Sequence, residues 1–377
     1  MTQPPNGWGN QPPPPPHGGW QPPPGQQPPP EWGPPQQPYP GPPPKKCGAL
    51  KWVLGGIALL AIVAITAVVS ISFSSRDNDG SNSAGTNTAS ASDSEFASTS
   101  DTGPITIITD DPSCAPWRPI QDTLADSAKN GWPQRDPSIA ASAWTPDQRR
   151  QHQEVGQAMR AAADQTERLI KLTTHRVMRQ LYEQFVAFTR AYADAIPTYT
   201  PPDDALARAA NTSGAVLGSI CQSIRFGSAA ARAPLAPEAS APEHVAPVID
   251  SASPTPFITG PDPLCHDWKT AVDEFSADTE AWRDIPADIP AGQWSPAQKA
   301  ISAAVVPVMR DSADSLERLG QRTENTTFQD FAVLAAQYRH AFAEAIPTYT
   351  VADNHLYEAG WRTTGFILAA CEAAGSN

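Results

Sequence analysis

The hexapeptide AIPTYT occurs at 195–200 and again at 345–350. It marks a long internal repeat. Aligned without gaps, residues 144–221 match 294–371 at 24 of 78 positions. MRAAADQTERL (159–169) faces MRDSADSLERL (309–319). Upstream, Cys114 and Trp117 match Cys265 and Trp268, and Trp132 matches Trp282. Trp144 matches Trp294, and Cys221 matches Cys371. A period this long indicates tandem domains rather than a solenoid of short units. The copies are expected over 111–226 and 261–377, joined by a Pro/Ala linker over 227–260.

Each copy has the spacing of helices. Thr145-Pro146 and Ser295-Pro296 put a hydroxyl cap before a proline at the first helical position. Val155, Met159, Ala163, Thr166 and Leu169 then recur at three and four, as do Val305, Met309, Ala313, Leu316 and Leu319. A third helix carries Met178, Leu181, Phe185, Phe188 and Tyr192, and is expected to stop at Pro197, or at Pro347 in the second copy. A last helix follows with Leu206, Ala210, Ser213, Leu217 and Ile220. A short first helix holds Cys265, Trp268, Val272 and Phe275 on one stripe. No strand pattern is present. The predicted fold class is all-α: two tandem four-helix-type bundles.

Of the five cysteines, Cys114 and Cys265 open their copies and Cys221 and Cys371 close them. The repeat therefore selects Cys114–Cys221 and Cys265–Cys371, one disulfide per copy, from three pairings. Closing a loop of about 100 residues is worth about 4–5 kcal/mol in the chain-entropy model.

The first 44 residues hold 20 of the 43 prolines. Together with Trp8, Trp20 and Trp32, spaced twelve apart, they predict a disordered, polyproline-type tail. Such a tail suits a cytoplasmic partner with an aromatic-lined groove. Residues 52–75 carry no charge, and 52–74 are long enough for one transmembrane helix. Lys45, Lys46 and Lys51 crowd its N-terminal side, so the tail is expected in the cytoplasm and the repeats outside, beyond a Ser/Thr-rich spacer at 75–110. The net charge is −13. Residues 1–51 set three lysines against Glu31, which leaves −15 on the rest, 23 basic against 38 acidic residues. An acidic body excludes a nucleic-acid partner. The expected partners are the lipid bilayer and an envelope protein or glycan.

Three constellations are candidates for chemistry. AIPTYT accounts for itself as a helix stop, with Pro197 and Pro347 holding the preceding Ile extended and Thr200 or Asp203 capping the next helix. Its functional reading is a binding loop in which Tyr199 and Tyr349 join Trp132, Trp144, Trp282 and Trp294, rings with polar tips that suit glycan or protein contacts. Arg160, Asp164, Glu167 and Arg168 share a helix face, as do Arg310, Asp314, Glu317 and Arg318. Paired carboxylates can do acid–base work, but alternating signs predict i,i+4 ion pairs. His340 with Glu344 is half a metal site, yet its counterpart is Arg190 with Asp194, and arginine is not a ligand. No HExxH, CxxC, GxSxG or phosphate loop is present. No catalytic residue, metal or cofactor is expected.

The tail with its three tryptophans, the KKCGALKW junction and the Ala-rich outer part resemble the proline-rich single-pass membrane proteins of actinobacteria, notably mycobacteria. The resemblance implies an envelope location and no particular activity. The expected function is binding or scaffolding by a membrane-anchored, non-enzymatic protein of the cell membrane. A cell-wall-directed envelope enzyme and a passive surface spacer are the alternatives.

Overall fold

The computed structural model describes residues 95–375. The expected tail (1–44), transmembrane helix (52–74) and first part of the spacer (75–94) lie outside the described residues. Among the described residues there are ten α-helices and no strand, and no helix is long and apolar enough to cross a membrane.

Repeat one contains α1 (Cys114–Ser127), α2 (Pro146–Leu172), α3 (Arg176–Ala195) and α4 (Asp204–Arg225). A short α5 (Ser228–Arg232) follows. Repeat two contains α6 (Leu264–Asp278), the one-turn α7 (Glu280–Arg283), α8 (Pro296–Gly320), α9 (Thr326–Ala345) and α10 (Asn354–Ala373). The caps form as the sequence dictates: Thr145 and Ser295 each accept from the backbone N–H three residues on, and Gln148 and Gln298 reach back to the cap. The apolar stripes of α2 and α8 are buried.

Both disulfides are present. Cys114–Cys221 joins α1 to α4 with Cα atoms 5.3 Å apart, and Cys265–Cys371 joins α6 to α10 at 5.7 Å. Cys265 and Cys371 are buried. Cys114 and Cys221 are only half-buried and face a cavity of about 650 Å³.

The repeats do not stand apart; residues 95–375 fall within one compact unit. The seam runs along α4 and α10. Arg208 meets Glu372, Thr212 faces Gly365, and Phe226 stacks on His355 at 5.0 Å. The numbers rise on one helix as they fall on the other, so the two helices are antiparallel. Beside them a buried ion pair crosses from α3 to α9. Arg176 Nε and Nη2 donate to the two Asp330 oxygens at 2.9 and 3.1 Å, and Gln180 Nε2 donates to Oδ2 at 2.8 Å. Gln180 and Asp330 are equivalent positions of the two repeats, so this position meets its own counterpart at the seam.

This packing draws in chain that reads as spacer and linker. Arg176 donates to the carbonyls of Asp101 and Gly103, and Ile105, Ile107 and Ile108 are buried. Within 227–260, Arg232 of α5 grips Asp353 at 3.0 and 2.9 Å, and Gln184 pairs with the backbone of Thr255 and Phe257. Both stretches are low in large apolar side chains, which makes them read as solvated, yet their isoleucines and backbone groups complete the core.

Asp330→Ala would leave the buried Arg176 with only Asp101, at 3.6 Å, as a carboxylate partner; removing one member of a buried pair costs about 3–5 kcal/mol. Because the pair spans the seam, both repeats are expected to melt earlier in one shared transition. Two transitions, only one of them shifted, would overturn the single-unit architecture. In stepwise thiol reduction with differential alkylation, Cys114–Cys221 is expected to open before Cys265–Cys371, since exchange requires access to the sulfur. The reverse order would contradict the burial pattern.

Candidate functional site

AIPTYT forms a corner with the same geometry in both repeats. α3 ends at Ala195, and Ile196–Thr198 tighten into a 3₁₀ turn; α9 does the same at Ala345 and Ile346–Thr348. Ile196 and Ile346 are helical, with φ,ψ of −48°,−44° and −50°,−47°. The extended geometry expected before proline is therefore overridden: the tight turn carries the chain one step further before it breaks. Thr200 and Asp203 then pair, the Thr200 N–H and hydroxyl both donating to Asp203 Oδ2 at 2.7 and 2.9 Å; Thr350 and Asp353 repeat this.

The tyrosine of the corner is a clamp. The Tyr199 carbonyl accepts from Ala141 N–H at 2.9 Å, and its hydroxyl donates to the Pro137 carbonyl at 2.7 Å. In repeat two, Tyr349 accepts from Ala291 at 2.9 Å and donates to Ala287 at 2.6 Å. Burial pushes both phenols up to about 12, which keeps them neutral donors. The clamped stretch carries two of the tryptophans of each repeat, Trp132 and Trp144 in one and Trp282 and Trp294 in the other. Trp144 and Trp294 donate their indole N–H to the carbonyls of Ile139 and Ile289. The six aromatics singled out in the sequence thus gather in two clusters, Trp132, Trp144 and Tyr199 in one repeat and Trp282, Trp294 and Tyr349 in the other.

The clusters differ in content. In repeat one, His152 stacks on Trp144 with centroids 3.7 Å apart and meets the edge of Trp132 at 4.9 Å. Arg135 lays its guanidinium over Trp132, 4.2 Å from the ring centroid, and reaches Asp204 at 2.5 Å. Burial, with Arg135 nearby, holds His152 below the usual histidine pKa. In repeat two, Ser302 replaces His152, Ile285 replaces Arg135 and Asn354 replaces Asp204. There the corner encloses a cavity of about 330 Å³. Its apolar wall is Trp282, Ile285, Trp294, Phe342, Tyr349 and Tyr357, and Arg283, Asn354 and Glu358 supply its polar edge. Trp282 lies 5.1 Å from Tyr357 and 5.6 Å from Phe342 between centroids.

The charged candidates pair across helices rather than along them. Arg160 of α2 binds Asp194 of α3 at 2.8 Å, and Arg190 of α3 binds Asp164 at 2.7 Å and also Glu167. In repeat two, Arg310 binds Glu344 at 2.6 Å and His340 meets Asp314 at 3.1 Å. The expected i,i+4 pairs, His340–Glu344 among them, are not the ones formed, because the facing helix offers each group a nearer partner. Among the described residues no group of His, Cys, Asp and Glu could hold a metal ion. His152, Arg135, Asp204, Tyr357 and Glu358 are members of the corner that the sequence reading missed. The available signal was the mismatch itself: charged or bulky residues in one copy facing small or neutral ones in the other.

The family model described as "Mycobacterial ESX-1 associated protein" matches residues 96–375. An uncharacterized protein of Mycolicibacterium smegmatis (strain MKD8) is 45% identical over 345 residues, covering 90% of this chain and 90% of that one. No solved structure matches the chain.

Tyr199→Phe removes the donor to the Pro137 carbonyl and is expected to cost about 1 kcal/mol in thermal or denaturant melts; a neutral result would show that the clamp does not hold the loop. His152 has a folded pKa below its unfolded value of about 6.5. Its neutral form is therefore favoured by folding, and stability falls as pH drops below about 6.5 towards the folded pKa, by at most about 1.4 kcal/mol per pH unit for one proton. His152→Phe is expected to flatten that loss. His340 and His355, also depressed by burial, add to the fall, and Glu183, raised by burial to about 7, opposes it. An unchanged profile in the variant would remove His152 from the account.

Proposed function

The chain belongs to the mycobacterial ESX-1 associated family, and from that premise we propose that it is a membrane-anchored cell-envelope protein whose paired repeats bind a protein partner outside the membrane. The family is secretion-system-related and fits an envelope setting. The anchoring and orientation rest on the uncharged stretch 52–75 and the lysines before it. The observation that carries the binding reading is the aromatic cavity of repeat two, held open on the same clamped frame that repeat one fills with its own side chains. A concave, mostly apolar site with a few polar groups is the usual form of a specific binding site. A passive spacer has no need of it. An enzyme acting on cell-wall material is less favoured, because the one carboxylate that lines the cavity, Glu358, is held by Arg362 at 2.6 Å.

The reading is tested by a photo-crosslinking residue at Ala287, on the rim of the open corner, and at Pro137, its counterpart on the filled corner. In mycobacterial cells, position 287 is expected to yield one discrete crosslink to an envelope protein and position 137 none. Equal yields at both positions, or none at either, would sink it.

A further inference from the structure

Repeat one shows what the cavity of repeat two is shaped to receive. The positions that surround the Arg135 side chain are Trp132, Tyr192, Tyr199 and Asp204. Their equivalents Trp282, Phe342, Tyr349 and Asn354 all line the cavity, and so does Ile285 at the place of Arg135 itself. The filled corner therefore holds an arginine, only 14% exposed, over the face of an indole and paired to a carboxylate. The open corner keeps the indole, the phenol and the frame, and lacks the arginine.

We propose that the cavity of repeat two binds an arginine side chain of a partner protein, seated on Trp282 as Arg135 sits on Trp132 and held by Glu358 in place of Asp204. This rests on the binding reading above and names its chemistry. Three observations support it. Trp282 and Tyr357, only half-buried, expose ring surface to the cavity, and aromatic faces attract a guanidinium most when water is excluded. The carboxylate has moved by one helical turn: Asp204 and Arg208 of α4 correspond to Asn354 and Glu358 of α10, so the acid persists on the same helix face at i+4. Glu358 gives Oε2 to Arg362, which leaves Oε1 for a second guanidinium.

The cations at the site do not compete for that place. Arg283, on the polar edge, donates to the Ser276 carbonyl at 2.7 Å, Arg339 lies over Phe275 and donates to Ser312, and Arg362 is engaged by Glu358. Asp284 and Asp288 stand exposed on the loop beside it. The outer part of the chain is strongly acidic, which draws a basic partner towards it.

Full-length protein in mild detergent is titrated with the peptide amides Gly-Arg-Gly, Gly-citrulline-Gly and Gly-norleucine-Gly, followed through the methyl resonances of Ile346. The arginine peptide is expected to saturate, and the two neutral peptides to bind at least tenfold more weakly. Ile285→Arg with Asn354→Asp rebuilds the filled corner inside repeat two and is expected to abolish arginine binding while shifting the free Ile346 signal. Glu358→Gln is expected to weaken the arginine peptide about tenfold and leave norleucine unchanged. Equal affinity for arginine and norleucine would overturn the proposal in favour of an apolar ligand. Arginine binding that survives the double variant would overturn it as well. If 287 crosslinks a partner and the arginine peptide fails to bind, the binding reading stands and the arginine assignment falls. If the peptide binds and 287 yields no crosslink, the cavity takes a guanidinium but the partner-protein reading falls, and the assignment to a partner's arginine falls with it.

Discussion

One tyrosine per repeat fixes the part of the chain that carries the site. The loop between α1 and α2 has no long helix of its own, yet it must place two tryptophans against the bundle end. It is held by the carbonyl and the hydroxyl of Tyr199, and in repeat two by those of Tyr349, at nearly equal distances. A phenol buried against the bundle needs a partner for its hydroxyl, and the loop carbonyl supplies it. The tyrosine can occupy this place because the proline two residues before it ends the helix. AIPTYT is thus a scaffold element first, and the site is a consequence of the scaffold.

With the frame fixed, the two corners diverge by an exchange that replaces both members of the buried ion pair together. A buried arginine without its carboxylate, or the carboxylate alone, is costly, whereas replacing both is close to neutral. Arg135 and Asp204 become Ile285 and Asn354 together. Tyr192, whose phenol lies near Arg135, becomes Phe342. Ala207 becomes Tyr357, which adds an aromatic wall. The cavity is therefore compatible with a stable bundle.

Much of the architecture was legible in the sequence because it is local or doubled. Thr145 and Ser295 announce helix starts, Pro197 and Pro347 announce stops, and the repeat alone pairs the four cysteines. The seam was not legible. Arg176, Arg179, Gln180, Glu183 and Gln184 are all buried on α3, yet their polarity reads as a solvent face. Only a second bundle packed on that face changes their environment. Burial lifts Glu183 to about 7 even with Arg179 at 2.7 Å. The aromatics of the site were legible as a set, but the cavity was not. It arises at 135 and 285, upstream of the stretch where the copies align best, and depends on which side chain fills a shared space.

The filled corner has a structural use that explains why the copies need not match. Asp204, which holds Arg135, also binds Arg208 at 3.1 Å, and Arg208 reaches Glu372 on α10. The chain Arg135–Asp204–Arg208–Glu372 runs from the aromatic cluster of repeat one across the seam into repeat two. Its outer members are half-exposed, so their direct contribution to stability is small; what they fix is the register of α4 against α10. The equivalent positions are Ile285, Asn354 and Glu358 of repeat two and Gln222 of repeat one, and they cannot form such a chain, since only one of the four is charged. One bracing chain suffices for one antiparallel seam. With repeat one providing it, Ile285 and Asn354 are left to line an open cavity, while Asp353 of the same corner still holds Arg232 of α5.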